Sequence, residues 1–270
     1  MKEMVRLDKY LADMSIGTRS EVKDLIRKGK VNVNGEIKKK PETKIQVGED
    51  HVLVNGMEVS YVNYEYYLLN KPAGVISASN DKNAKTVIDL IKESVRKDLF
   101  PVGRLDKDTE GLLLITNDGD LAHQLLSPKK HVDKVYFAKV LGKVTKQDVE
   151  TFHTGIQLEE DFTTMPADLV IKQITTTPYE KIKEKIYGEE EFLSQKGLLS
   201  QNEHGEVVVS EIEITIREGK FHQVKRMFEA VDKKVVYLKR IAMGNLKLDE
   251  TISLGEYRHL SDKELEELRQ

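Results

Sequence analysis

The sequence predicts an α+β protein with a small N-terminal module, followed by a larger domain built on a mainly antiparallel mixed sheet with flanking helices. Apolar residues recur at helical spacing within the first thirty residues, and two hairpin signals, Asn34-Gly35 and Asn55-Gly56, follow them. From residue 64 onward, strand-like alternation dominates and short helical patterns separate the strands. We expect domains at 1–60 and 61–270, with a short boundary at 61–63.

Composition limits the class of protein. The chain has 270 residues, 39% of them hydrophobic, which is enough for two domains with proper cores. It has no cysteine, which excludes disulfides and thiolate metal sites and fits a reducing cytosol. The N-terminus has no apolar leader region, and no apolar run approaches membrane-spanning length. We expect a soluble cytoplasmic protein, and a monomer because no apolar seam demands a partner.

The N-terminal module is predicted to contain two short helices and hairpin strands. Leu7, Tyr10, Leu11 and Met14 recur at helical spacing. A capping box, Thr18-Arg19-Ser20-Glu21, opens a second helix that ends before Gly29. Val31-Asn32-Val33 then meets the Asn34-Gly35 turn, and residues 52–59 repeat the same hairpin pattern.

The formal net charge of −3 does not suggest a nucleic-acid partner, but the average hides two basic patches. Residues 19–44 hold nine Lys and Arg against four acids, and residues 217–240 hold eight against three. Local basic density governs phosphate binding more than global charge does. For either patch alone, a solvated face is the favoured explanation.

The larger domain is predicted from a series of short elements. We expect strands at 66–69, 134–140, 207–216 and 235–238, an amphipathic helix at 86–96, and helices at 121–126 and 221–230. Residues 179–205 interrupt this pattern with alternating Lys and Glu, and we expect one or two exposed helices inserted there. They form either a surface elaboration or an added contact with RNA or protein.

The most informative segment is Gly103-Arg104-Leu105-Asp106-Lys107-Asp108-Thr109-Glu110-Gly111, which leads directly into the apolar run 112–115. The apolar run predicts a buried strand, and Asn117-Asp118-Gly119 predicts the turn after it. A charged loop anchored on a rigid buried element is a typical position for catalytic groups.

The N-terminal module resembles the S4-type RNA-binding domain. The matching residues are Arg6-Leu7-Asp8-Lys9-Tyr10-Leu11, Thr18-Arg19-Ser20-Glu21 and Gly29-Lys30-Val31-Asn32-Val33-Asn34-Gly35. The resemblance implies that this module presents basic groups to structured RNA, where phosphate and shape rather than base sequence are recognised. The corresponding candidates are Arg19, Lys23, Arg27, Lys28 and Lys30.

The segment 103–119 resembles the catalytic motif of pseudouridine synthases, and the module order resembles their RsuA-like group, which acts on ribosomal RNA. The resemblance implies that Asp106 is the catalytic carboxylate and that Arg104 opens the RNA and holds the flipped uridine. It implies that Tyr136, in Lys134-Val135-Tyr136, stacks on the uracil and is a candidate general base at C5. The family's connection at 179–205 is usually shorter than the one in this chain.

A third match is Glu218-Gly219-Lys220-Phe221-His222-Gln223-Val224-Lys225-Arg226-Met227-Phe228. The resemblance places Lys225 beside the catalytic carboxylate, where a cation favours the ionised form. Arg226 is the alternative if the register is shifted by one. Residues 222–228 and 255–258 favour an enzyme of small-subunit (16S) ribosomal RNA, with the large-subunit (23S) RNA as the alternative.

Other chemistries fit the spacing poorly. A calcium loop starting at Asp106 would need an acidic twelfth residue, and Asn117 stands there. The histidines lack zinc-type spacing, and no Gly-Lys pair is followed by Ser or Thr as a phosphate-binding loop requires. We therefore expect no metal and no cofactor. Two rival hypotheses are a non-catalytic RNA-binding ribosome-assembly factor and a metal-dependent hydrolase using the acidic cluster.

Overall fold

The computed structural model describes residues 4–270, so the first three residues of the predicted N-terminal module lie outside the described part. The chain divides into two compact units. The first comprises the chain up to Tyr66 together with Ile91–Phe100 and Ile115–Asp118, and the second comprises the remainder.

The first unit begins with two helices that pack on short strands. Its elements are β1 (Met4–Arg6), α1 (Leu7–Asp13), α2 (Arg19–Arg27), β2 (Val31–Val33), β3 (Glu36–Ile37), β4 (Lys44–Gln46), β5 (Val52–Val54) and β6 (Met57–Glu58). Strands β3-β2-β5-β6 form one antiparallel sheet and β1 pairs with β4. The core contains the apolar faces of both helices, including Leu7, Leu11, Val22 and Ile26.

Three local predictions for this unit are confirmed. Thr18 and Glu21 form a reciprocal capping box at the start of α2. Gly29 follows the helix with φ +70°, and the hairpin turns at Asn34-Gly35 and Asn55-Gly56 have positive φ at both residues. Positive φ at two central residues defines the hairpin turn whose twist matches that of the flanking strands.

The second unit is built on a nine-stranded mixed sheet within the described residues. Its strands are β7 (Tyr66–Lys71), β8 (Phe100–Pro101), β9 (Glu110–Thr116), β10 (Lys134–Leu141), β13 (Asp168–Pro178), β14 (Glu206–Ile216), β15 (Lys234–Met243), β16 (Leu246–Lys247) and β17 (Tyr257–His259), and a separate hairpin joins β11 (Gln157–Glu159) to β12 (Phe162–Thr163). The helices are α3 (Gly119–Leu126), α4 (Lys146–Thr154), α5 (Glu190–Gln195), α6 (Gln223–Glu229) and α7 (Asp262–Arg269).

The strand order of this sheet is β13-β14-β10-β15-β9-β7-β17. Strand β10 lies antiparallel to both β14 and β15, whereas β9 runs parallel to β15. The apolar residues Leu112, Leu113, Leu114 and Ile115 of β9 are fully buried, as expected for a central strand. The predicted α+β class with a mainly antiparallel mixed sheet is confirmed.

The predicted helix at 86–96 is wrong. Only a single 3₁₀ turn, Ile88–Leu90, forms there. The Thr86 backbone and hydroxyl both donate to Asp89. Farther along, the amides of Val95 and Arg96 donate to the Glu65 carboxylate rather than to helical carbonyls. Apolar spacing alone could not reveal that side chains would satisfy this backbone.

The inserted segment 179–205 is less exposed than predicted. It contains two 3₁₀ turns, Tyr179–Lys181 and Lys183–Ile186, and helix α5. Ile182, Ile186 and Leu193 are buried against residues of β10, β14 and β15. The insertion is therefore a packed part of the second unit, although its outer face is charged.

Candidate active site

The loop between β8 and β9 carries Asp106 and is held from beneath by the turn that follows β7. The Thr109 amide donates to the Asp106 carbonyl at 3.1 Å, which closes a tight turn. The Ser77 hydroxyl donates to the Leu105 carbonyl at 2.8 Å and accepts from the Leu105 amide at 3.0 Å. The Gly74 amide donates to the Lys107 carbonyl at 2.7 Å. The loop is thus fixed by backbone contacts on both sides of Asp106.

Gly111 is required where this loop enters β9. Its φ is +99°, and a Cβ there would lie 2.2 Å from the Arg240 carbonyl oxygen of β15. Only glycine permits the close approach of the two parallel strands at this point. The glycine in the motif therefore sets the position of the loop relative to the sheet.

Lys71 is a buried cation beneath the loop. Its ammonium donates to the carbonyls of Thr109 at 2.8 Å, Pro72 at 3.0 Å and Lys107 at 3.3 Å. The residue is 0% exposed, and this burial lowers the pKa of Lys71 to about 8, although nearby carboxylates, first Asp108, oppose the shift. Three carbonyls at one ammonium fix the geometry of the loop.

Asp106 lies between two basic side chains of the segment 222–225. The Lys225 ammonium is 3.4 Å from one carboxylate oxygen, and the His222 Nε2 atom is 3.6 Å from the other. The Asp106 side chain is 26% exposed, so it is reachable but partly sheltered. The two basic groups thus face the two oxygens of the same carboxylate.

Lys225 binds Asp108 more tightly than it binds Asp106. Its ammonium donates to both Asp108 oxygens, at 2.7 and 2.8 Å. Partial burial would raise the pKa of Asp108, but the hydrogen bond from Lys225 and its charge hold that pKa below its usual range. Asp108 thus positions the ammonium in reach of Asp106.

The walls of an open cleft include Arg104, Asp106, Tyr136, Lys220 and His222. The ring of Tyr136 is largely buried among the apolar side chains of Ile216 and Leu238, which also line the cleft. Within residues 4–270 the Tyr136 hydroxyl and the Arg104 guanidinium form no hydrogen bond or ion pair, so both can engage a bound molecule.

The structure brings Asp106, Tyr136, Lys225 and Arg104 together but does not bring Arg226 to the cleft. The Arg226 guanidinium instead contacts the Glu159 carboxylate at 2.8 Å and the Leu158 carbonyl at 3.3 Å. The register that places Lys225 beside the carboxylate is therefore the observed one.

The proposed RNA contacts of the first unit lie on and after α2. Arg19, Lys23 and Arg27 are spaced by four residues and share one face, which borders the buried face of Val22 and Ile26. Arg19, Arg27, Lys28 and Lys30 are exposed, whereas Lys23 is half-buried. The geometry leaves this face accessible to a phosphate backbone.

Sequence reasoning assigned no role to Lys71, His222 or Gln223. Gln223 is buried, donates to the Glu218 carboxylate at 2.7 Å and accepts from the Lys220 amide at 3.0 Å, so it shapes the loop before α6. The available signal for Lys71 was a lysine at the end of the apolar strand Tyr67-Leu68-Leu69, where an unpaired cation would be costly.

Among residues 4–270, no group of three or more His, Asp or Glu side chains is arranged to hold a metal ion. The helices in that range are all too short or too polar to cross a bilayer.

Comparison with known proteins gives the family. Residues 65–230 match the RNA pseudouridylate synthase family and residues 5–51 match the S4 domain. The chain is 38% identical to ribosomal large subunit pseudouridine synthase B of Bacillus subtilis, over 98% of this chain and 96% of that protein. It is 34% identical to ribosomal small subunit pseudouridine synthase A of Vibrio cholerae, over 97% and 98%.

A crystal structure of a pseudouridylate synthase is similar along the chain, with a TM-score of 0.60 and 33% identity, covering 98% of this chain and 99% of the other. Both the S4 domain and the synthase domain imply an RNA partner. The chain belongs to the RNA pseudouridylate synthase family, whose members are isomerases that convert uridine to pseudouridine.

Proposed function

We propose that this chain isomerises a specific uridine of small-subunit (16S) ribosomal RNA, with Asp106 acting on a flipped nucleotide. The observation that carries the proposal is the placement of Asp106 between Lys225 and His222 on the wall of a cleft that also contains Tyr136. The reaction breaks the N1–C1′ bond, forms a C5–C1′ bond, removes the C5 proton and leaves a proton on N1. Atoms and electrons balance without a co-reactant.

Asp106 supplies the negative charge that this reaction needs. Its carboxylate either attacks C1′ or stabilises the positive charge that develops there as the base departs. The Lys225 ammonium lies 3.4 Å from this carboxylate, and Asp108 holds Lys225 in place. The ordered loop keeps the carboxylate at one position, so little reorganisation is needed in the transition state.

Tyr136 and Arg104 handle the base and the surrounding RNA. A uracil in the cleft stacks on the Tyr136 ring, whose unpaired hydroxyl is in position to accept the C5 proton. Arg104, exposed and without an ion pair among the described residues, holds the opened RNA after the base leaves its stack.

The choice of the small subunit rests on the segments His222–Phe228 and Gly255–Arg258 and on the match to the Vibrio cholerae protein. The match of 38% identity to a large-subunit synthase favours the rival substrate, 23S ribosomal RNA. We further propose that the chain acts in the cytoplasm as a monomer and that the basic face of α2, with Lys28 and Lys30, docks the ribosomal RNA or a small-subunit assembly intermediate.

The test is tritium release from C5-labelled uridine in transcribed 16S and 23S RNA. We expect the wild type to release label from 16S RNA only, whereas Asp106→Asn releases none and still retains RNA on a filter. Release from 23S RNA alone would transfer the proposal to the large subunit. Equal release by both proteins would remove the mechanism.

The same assay separates the two rival functions. A non-catalytic assembly factor would bind RNA without releasing tritium in either form. A metal-dependent hydrolase would cleave the RNA and lose activity with a chelator, whereas the proposed isomerisation is insensitive to chelation.

A further inference from the structure

Phe221 is exposed beside the active site although it is a large aromatic residue. Its side chain is 72% exposed, while most other apolar side chains of the second unit are buried. It lies in the loop before α6, and its neighbours Lys220 and His222 both line the cleft. Exposed aromatic rings of this kind are costly in water and are typical of binding surfaces.

The Phe221 ring is positioned by a contact with its neighbour in the sequence. It stacks on the His222 imidazole with a centroid distance of 3.7 Å and an angle of 19° between the planes. The backbone of His222 adopts a left-handed conformation, with φ 49° and ψ 31°, which is unfavourable for a residue other than glycine. This conformation turns the imidazole toward Asp106 while its face remains covered by the phenyl ring.

The surroundings of this pair are cationic. Lys220 borders the cleft, with its ammonium 5.1 Å from the centre of the Phe162 ring, and Arg104 lies on the same cleft. Cations beside an exposed aromatic face suit a nucleotide, whose base stacks while its phosphate is neutralised. An apolar peptide would gain nothing from these charges.

We propose that the outer face of Phe221 is a stacking platform for the nucleobase next to the target uridine, an inference that rests on the proposed isomerisation. The His222 imidazole has its Nε2 atom 3.6 Å from Asp106 and one face covered by the phenyl ring, so a base on the outer face of Phe221 is separated from the imidazole by the phenyl ring. That position belongs to a neighbouring nucleotide, because the target base occupies the cleft against Tyr136. Stacking of the neighbour keeps the RNA splayed while the target is flipped.

The chain contains no tryptophan, so Phe221→Trp introduces a single indole whose fluorescence reports stacking at this position. The matched control is Phe192→Trp, because Phe192 is also an exposed phenyl ring, at 58%, on α5 of the same unit. We expect the RNA that is isomerised, 16S or 23S, to quench the fluorescence of the indole at position 221. The fluorescence of the indole at position 192 should stay unchanged. Quenching at 221 and retention of RNA on a filter should saturate at the same RNA concentration.

The kinetic arm uses Phe221→Leu, which keeps apolar contact with His222 but removes the aromatic face. We expect KM to rise roughly 5- to 150-fold, as for the removal of one stacked base, while kcat changes little because Asp106 and Lys225 are untouched. Phe221→Trp keeps an aromatic face, so its KM should stay near the wild-type value. A residue with a merely structural role would not require an aromatic ring.

The stacking platform would be overturned if Phe221→Trp retained RNA without being quenched, or if both tryptophan variants were quenched equally. It would also be overturned by a wild-type KM in Phe221→Leu or by failure of the protein to retain either RNA. Fluorescence and tritium release are independent readings. Quenching at position 221 without isomerisation of 16S RNA would therefore contradict the proposed function, but it would still support the base-stacking site.

Discussion

Two groups of cations in this molecule are used differently. Lys71 and Lys225 of the second unit each have defined acceptors, three carbonyls for one and the carboxylates of Asp106 and Asp108 for the other. Four basic residues on and after α2 in the first unit, by contrast, are exposed, namely Arg19, Arg27, Lys28 and Lys30. The ion pair of Arg27 with Asp24, at 3.7 Å, is itself exposed. Buried, paired charge fixes a geometry, whereas exposed charge remains available for phosphate.

Charge density in a sequence therefore does not reveal what a cation does. The first basic patch, at 19–44, contains more Lys and Arg than the second, at 217–240, yet Lys71, which binds the carbonyls of the Asp106 loop, lies in neither. Removing the paired cations Lys71 and Lys225 of the second unit should therefore alter stability or kcat, and removing the exposed cations of α2 should alter RNA affinity alone.

The largest expected effect comes from Gly111→Ala. The added Cβ would collide with the Arg240 carbonyl at 2.2 Å, so β9 must shift and carry the Asp106 loop with it. We expect the free energy of unfolding to fall by roughly 3 kcal/mol or more, with loss of tritium release. Gly188→Ala is the matched control, since Gly188 also has positive φ but nothing within 4 Å. It should cost only about 1–2 kcal/mol, and equal thermal shifts in the two variants would contradict the close-approach argument.

Lys71→Met is expected to lower kcat roughly 100-fold, because the loop carbonyls lose their common donor and Asp106 moves from its position. The side chains are similar in length, so packing is largely kept. Lys107→Met, in the same loop but exposed, should leave kcat near the wild-type value. A variant at 71 with normal kcat would show that the buried ammonium does not position the loop.

The same lysine predicts a pH dependence of stability. Its folded pKa of about 8 lies below its ordinary value of 10.5, so the unfolded chain binds more protons between those pH values. The penalty for burying the charge is present below pH 8 and is relieved as pH rises toward 10.5. Relative to Lys71→Met, the wild type should therefore gain on the order of 2 kcal/mol across this window in urea titrations. If the difference in unfolding free energy between the wild type and Lys71→Met stayed constant or declined as pH rises, the lowered pKa of Lys71 would be contradicted.

Much of the fold and of the site could be predicted from the sequence because the signals are local. The capping box at Thr18 and the two Asn-Gly turns depend on neighbouring residues only, and the apolar run 112–115 fits no environment but a buried strand. The resemblance likewise predicted the proximity of Asp106 to Lys225 and of Asp106 to Tyr136, the latter two of which line one cleft, although their catalytic roles stay predictions.

The remainder depends on contacts between distant residues. Glu65 satisfies backbone amides near residue 95, which defeats the helix that apolar spacing predicted at 86–96. Lys71 meets its acceptors 36 and 38 residues away, and Phe221 falls outside a helix that its spacing would have included. No periodicity within one segment encodes such pairings.

Lys225→Met should lower kcat roughly 10- to 100-fold, because Asp106 loses the cation 3.4 Å away and Asp108 loses its partner. Arg226→Met removes a charge from the adjacent residue, whose partner Glu159 is exposed, and should change kcat less than about threefold. The pair of variants separates the two registers of the motif. A larger decrease of kcat in Arg226→Met than in Lys225→Met would show that Arg226, and not Lys225, is the cation that acts with Asp106.

The smallest effects are expected on the basic face of α2. Arg19→Gln and Arg27→Gln should each weaken RNA retention about 3- to 10-fold at moderate salt and leave kcat unchanged, because each side chain neutralises at most one phosphate. The slope of log affinity against log salt should become shallower by roughly 0.7–0.9 for each phosphate that is no longer neutralised. Lys181→Gln, an exposed lysine of the inserted segment, is the control and should leave the slope unchanged. If the α2 variants kept the wild-type slope, their charge would serve solubility alone, and the contrast between paired and exposed cations would lose its functional meaning.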